Sequence, residues 1–239
     1  MAHESIIFIP SRLESTRLKN KPLVDLGGMS LIERVYKNAT TASDTVYVAT
    51  DSQLIEDNLK KITTNIITTS KNHISGTDRV CEAANSLDLN KETLIINLQG
   101  DEPFIPPTLI TQIINDYFDN KCDVITASNK ITDNNEIIDP NSVLVETDSI
   151  NYAKKFIRTG HINNPRKHVG IYGYSLKILN ELVALPPSKG EINLKLEQLR
   201  FMENGYSIYV SPYDGFIQGG IDTEEDLIRA KKFLEDENI

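Results

Sequence analysis

Apolar and polar positions along the 239-residue chain follow two alternating periods. Short apolar runs closed by turn residues read as buried strands. They occupy 6–9 (stopped by Pro10), 45–50 (stopped by Asp51), 65–69, 94–98 and 122–127. Between them the period lengthens to that of a helix. Leu31, Ile32, Val35 and Ala39 form one stripe over 31–39, and Ser30 and Glu33 have capping-box spacing. Helices are expected likewise at 52–62, from Thr77 onwards behind Ser75-Gly76, and at 108–118. Strand and helix thus alternate five times with short connections, the signature of a doubly wound, mostly parallel, Rossmann-like α/β sheet.

The rhythm changes near residue 128. Residues 130–139 are polar and turn-rich, then 142–146, 152–157 and 168–174 read as strands with no helix between them. Consecutive strands predict an antiparallel patch, which suits a lid, a second lobe or a dimer surface. Helices follow at 176–185 (ended by Pro186-Pro187) and 193–203 (stopped by Asn204-Gly205), with a strand at 207–210. A closing helix at 223–236 has Thr223 as N-cap and Asp226 in the box position. The expected fold is an α/β core of residues 1–129 and 175–239 with a small antiparallel β lobe over 130–174.

Composition narrows the classes. The chain is 39% hydrophobic and 25% charged, as in ordinary globular proteins. A net charge of −9 argues against nucleic-acid or membrane-surface partners, which need a basic face. No apolar run approaches the roughly 18–20 residues of a membrane span, and the N-terminus carries no signal-peptide pattern. Cys81 and Cys122 stand alone, with no CxxC or Cys/His cluster. That predicts a reducing, cytoplasmic setting without structural zinc.

Against the acidic background, the stretch after the first strand carries Arg12, Arg17, Lys19 and Lys21 among Ser11, Ser15 and Thr16. A cationic, hydroxyl-rich loop at the carboxyl end of a strand suits a polyphosphate. Asp101 follows another apolar strand, where a carboxylate can hold a divalent cation against nucleotide phosphate. Asp222, after Gly219-Gly220 and before a helix, could supply a second carboxylate, or simply face the positive end of that helix. Ser75–Arg79 offers hydroxyls at a helix start. His168, Tyr172, Glu197 and Gln198 could read a hydroxylated, anionic sugar. No nucleophilic triad, GxGxxG fingerprint or GxxxxGK[ST] loop is present.

Taken together, these segments resemble the 3-deoxy-manno-octulosonate cytidylyltransferases, which make CMP-Kdo. The matching words are IPSRLESTRLKNKPL, YVATD, SGTDR, NLQGDEPFI, KHVGIYGY, LEQLR and GIDTEEDL, in order over nearly the whole chain. The resemblance implies a nucleotidyltransferase fold and CMP transfer from CTP to the anomeric hydroxyl of 3-deoxy-D-manno-octulosonate (Kdo), releasing pyrophosphate. It implies that Arg12, Arg17 and Lys21 hold the CTP phosphates and, with Asp101, form the catalytic set. Ser75, Arg79 and Gln99 would seat the nucleotide. Asp101 and Asp222 would bind Mg²⁺, and His168, Tyr172, Glu197 and Gln198 would contact the sugar. The 130–174 lobe would serve sugar binding and homodimerisation. Lys19 stands where the family has proline and reads as a surface charge. The sugar half departs from the family pattern at Leu144 (usually lysine), Lys155 (usually arginine) and Leu194 (usually glutamate). Alternatives are therefore transfer to 8-amino-Kdo or another ulosonic acid, or a non-catalytic nucleotide-binding homologue.

Overall fold

The computed structural model describes residues 4–133, 135–139 and 141–237. Five strands open the chain with helices between them: β1 (Ser5–Ser11), α1 (Leu31–Ala39), β2 (Val46–Thr50), α2 (Gln53–Leu59), β3 (Ile66–Thr68), α3 (Gly76–Asn85), β4 (Leu94–Leu98), α4 (Pro107–Asp119) and β5 (Val124–Asn129). The expected capping box at α1 is made: Ser30 accepts from the Glu33 amide while the Glu33 carboxylate accepts from the Ser30 amide. A further box, not among the expectations, joins Ser75 and Asp78 at α3.

The second half runs α5 (Asn135–Ile138), β6 (Leu144–Thr147), β7 (Ala153–Ile157), β8 (Arg166–Ser175), α6 (Leu176–Ala184), α7 (Lys189–Leu194), α8 (Glu197–Glu203), β9 (Ile208–Tyr213) and α9 (Glu224–Glu237). The main sheet has the order β3-β2-β1-β4-β8-β5-β9. Its neighbours are parallel except at β8, which is antiparallel to both β4 and β5. The fold is thus the expected α/β one, with a mostly parallel central sheet.

Alternation along the strands divides the core. Ile7 and Ile9 face one side with α1, α4 and α9, whereas Ile6 and Phe8 face the other with α3, α6 and α8. Every residue of β4 is buried, as helices on both faces require.

Two expectations are corrected. The strand at 168–174 was expected in an antiparallel lobe, but β8 lies inside the central sheet. Gly173 makes this possible. A Cβ there would lie 2.8 Å from Ile125 Cγ2 and 2.9 Å from Ile96 Cδ1, so the neighbouring strands' side chains fill the space above it. What remains outside the main path is the β6–β7 hairpin, and it is not detached. The Val210 amide donates to Asn151 O at 2.8 Å, tying the hairpin turn to β9. Leu144, at the family's usual lysine position, is buried with Ile157 and Ile162 in a small satellite core under this hairpin.

The single helix expected over 193–203 is two helices. Lys195 takes a left-handed conformation (φ 54°) that ends α7, and α8 restarts at Glu197. The start of α7 lies before the expected residue 193, where Ser188 and Glu191 form a capping box that the expectation passed over.

Candidate active site

A cleft of about 830 Å³ opens at the carboxyl ends of β1 and β4. Its walls include Arg12, Arg17, Lys21, Ser75, Arg79, Gln99, Asp101 and Asp222, so the expected phosphate, nucleotide and metal residues share one cavity. The local backbone explains the convergence. β1 ends at Ser11, the basic loop crosses the cleft, and Asn20 in a left-handed conformation (φ 51°) turns the chain into a 3₁₀ turn at Lys21–Leu23. Gly100 lets the β4 end approach the β1 end. A Cβ there would stand 2.8 Å from the Pro10 carbonyl oxygen.

Lys21 lies at the centre of the charges. Its Nζ donates to Asp101 Oδ2 at 2.6 Å and to Asp222 Oδ1 at 2.9 Å. Arg17 reaches the same Asp222 oxygen at 2.9 Å. Burial works to lower the Lys21 pKa, but Asp101 and then Asp222 outweigh it, and the amine ends above its ordinary value. Glu102 stands beside them. Burial first, then repulsion from Asp101 and Asp222, pushes its carboxyl up to about 8. Its Oε1 lies so near Gly220 that a Cβ there would meet it at 2.8 Å.

The nucleotide-side residues are held from behind. Ser75 caps α3. Arg79, only 3% exposed, donates to Asp51 Oδ2 at 2.6 Å and to Thr69 Oγ1 at 2.5 Å. The Ser11 hydroxyl is buried without a partner in the cleft wall.

His168, Tyr172, Glu197 and Gln198 do not line this cleft. They gather on the α3–α8 side of the sheet. The His168 and Tyr172 rings are 5.5 Å apart, and His168 Nε2 bonds Thr126 Oγ1 at 3.0 Å. Burial, then the charge of Arg158, lowers the His168 pKa to about 3, so the imidazole is neutral. Burial, then Glu197, raises the Tyr172 hydroxyl well above its ordinary value. Burial also raises Glu197, against the opposing pull of its Thr77 hydrogen bond and of Arg200. Glu197 accepts from Thr77 Oγ1 at 2.5 Å and from Arg200 Nη2 at 2.9 Å. Gln198 is buried with its Nε2 unpartnered.

Residues 6–208 match the cytidylyltransferase family model. The chain belongs to this family. Among curated relatives, it is 40% identical to a 3-deoxy-manno-octulosonate cytidylyltransferase of Thermodesulfovibrio yellowstonii, over 96% of the chain and 98% of the relative. It is 36% identical to the Saccharophagus degradans protein of that name, over 96% of the chain and 98% of that relative. A solved structure described as CMP:2-keto-3-deoxy-manno-octonic acid synthetase complexed with CTP superposes with a TM-score of 0.90. It is 32% identical, covering 98% of this chain and 99% of that one. Among the described residues of this cytidylyltransferase, no helix is long and apolar enough to cross a membrane.

Some site residues were missed by sequence reasoning. Asp51 is the half-buried partner of the buried Arg79, and the position of YVATD at a strand end was the available signal. Thr77 and Asn97 sit inside recognised words, but their role depends on which side chains they meet. Among the described residues no group of three or more His, Cys, Asp or Glu is arranged to hold a metal. Asp101 and Asp222 remain a pair of carboxylates sharing one cation. That donor set suits Mg²⁺, which takes one or two protein carboxylates and completes its shell with phosphate oxygens and water.

Proposed function

We propose that the chain transfers CMP from CTP to the anomeric hydroxyl of Kdo, giving CMP-Kdo and pyrophosphate, in a Mg²⁺-dependent reaction. The observation that carries this reading is the Lys21 amine held by Asp101 and Asp222 at the base of a cleft crossed by the cationic loop. The likeness over the full chain to a synthetase complexed with CTP supports the same reading.

Both the attacking sugar oxygen and the pyrophosphate leaving group carry or develop negative charge. Positioning and charge neutralisation therefore dominate, and no protein nucleophile is needed. Arg12, Arg17 and Lys21 hold the phosphates. Ser75, Arg79 and Gln99 seat the nucleoside, with Arg79 fixed by Asp51. Asp101 and Asp222 would hold Mg²⁺, whose chemistry is to neutralise phosphate charge and acidify the sugar hydroxyl. His168, Tyr172, Glu197 and Gln198 form the sugar-acid subsite. Neutral His168 and the high-pKa Tyr172 hydroxyl offer uncharged hydrogen-bonding groups to a polyol. Leu144 at the family's lysine position lies in the satellite core, which favours reading that departure as packing rather than a change of acceptor. The cell compartment that fits this reading is the cytoplasm, with Cys81 and Cys122 as free thiols.

A substrate panel tests the reading. CTP and UTP are each paired with Kdo, 8-amino-Kdo and sialic acid, and pyrophosphate release is followed with and without Mg²⁺. The expected result is Mg²⁺-dependent release with CTP and Kdo. In Asp101→Asn it should fall by about 100- to 1000-fold with the fold intact by circular dichroism. Measurable CTP binding without release on any acceptor would instead identify a nucleotide-binding module.

A further inference from the structure

Four polar side chains form a continuous line from the nucleotide cleft to Glu197. Gln99, in the cleft wall, donates from Nε2 to Asn97 Oδ1 at 3.1 Å. Asn97 donates from Nδ2 to Tyr174 Oη at 3.0 Å and to Thr77 Oγ1 at 3.4 Å. Thr77 donates to Glu197 Oε2 at 2.5 Å. Asn97 is 0% exposed and Thr77 is 4% exposed, so neither is free to exchange these partners for water.

The line has a fixed sense. The Glu197 carboxylate, paired on its other oxygen with Arg200, accepts the one Thr77 proton. The Thr77 oxygen is then left as an acceptor, and the Asn97 amide donates to it. Reversing the Asn97 amide would set its NH₂ against the NH₂ of Gln99. This arrangement pairs each of the four groups with the next, and it holds the Gln99 amide and the Glu197 carboxylate in one relative orientation.

We infer that Thr77 and Asn97 are positioning residues that lock the sugar-acid subsite to the nucleotide cleft, so that the two substrates order one shared network. Both are buried and neither lines the cleft. Thr77 acts through Glu197, and Asn97 acts through Gln99. By linkage, the sugar acid then raises affinity for CTP and CTP raises affinity for the sugar acid by the same factor. The inference rests on the reading above that Glu197 meets the sugar acid.

The test compares Thr77→Val, which keeps the shape and removes the hydroxyl, with Thr77→Ser, which keeps the hydroxyl. Thr77→Val should raise KM for Kdo by about 10- to 100-fold, the scale of a lost hydrogen bond to a charged group. Its Kd for CTP measured without sugar should stay within about twofold of wild type, while the gain in CTP affinity on adding Kdo disappears. Thr77→Ser should recover both properties. In the double variant Thr77→Val/Glu197→Gln, the KM should match that of Glu197→Gln alone, because one residue works through the other. If Thr77→Val does not fold, Thr77→Ser carries the test. A Ser variant with wild-type melting but a large KM increase assigns the effect to methyl packing and overturns the inference. So do additive effects in the double variant, or an unchanged KM in folded Thr77→Val. Wild-type protein that turns over no ulosonic acid overturns the reading and the inference together. Wild-type turnover with unaffected variants overturns the inference alone.

Discussion

At the residue scale, neighbours rather than residue type decide what a titratable group does. Lys21 and Lys19 are two positions apart in one basic loop. Lys21 meets two carboxylates and is held charged, whereas Lys19 stays exposed at the mouth of the cleft. His168 shows the opposite case, with a folded-state pKa of about 3 against an ordinary value of 6.5. Between those values the unfolded chain takes up a proton that the folded protein refuses. His168 therefore costs no stability above about pH 6.5, and stability falls as pH drops from there towards about 3. Melting of wild type and His168→Gln at pH 7.5 and pH 5 checks this. The wild type should lose more stability than the variant on acidification, and parallel losses would contradict the assignment. The type and position of His168 were legible in the sequence. Its neutrality was not, because it depends on burial against Phe156 of β7 and Thr126 of β5.

At the element scale, local signals worked where the cause is local. The capping boxes at Ser30, Ser75 and Thr223 are all formed, because each needs only a hydroxyl and a carboxylate three residues apart. The break at Lys195 was not legible, since lysine carries no left-handed preference and the surrounding contacts impose the turn. The place of β8 was not legible either. Its composition marks a strand, but which strands flank it is a matter of long-range pairing. Gly173 is the residue on which that placement turns. Gly173→Ala should destabilise the fold by about 1–3 kcal/mol through crowding against Ile125 and Ile96. Ile125→Val in the same chain should recover part of the loss. Chemical unfolding measures both, and a neutral Gly173→Ala would show that β8 is not packed between β4 and β5 in this way.

At the scale of the whole molecule, an acidic chain gathers Arg12, Arg17 and Lys21 in one cleft, and the turn of the β6–β7 hairpin leaves Ile150 at 65% exposure. The homodimer that the family resemblance implies would cover this residue. Sedimentation should then give about twice the 26.8 kDa chain mass, and Ile150→Lys should shift it towards the monomer. A monomer at all working concentrations would contradict the dimer. By itself the sequence determined the α/β class, the order of most elements, the family and many of the residues that line the cleft. These follow from hydrophobic period, capping chemistry and motif words, all written within short windows of chain. The tertiary structure alone decided that β8 completes the central sheet and that Lys21 joins Asp101 to Asp222. It also decided that Thr77 and Asn97 link Gln99 to Glu197. Apart from the short Gln99–Asn97 step, those facts join residues from 20 to 201 positions apart, and contacts at that separation are set by packing of the whole chain, which no local pattern encodes.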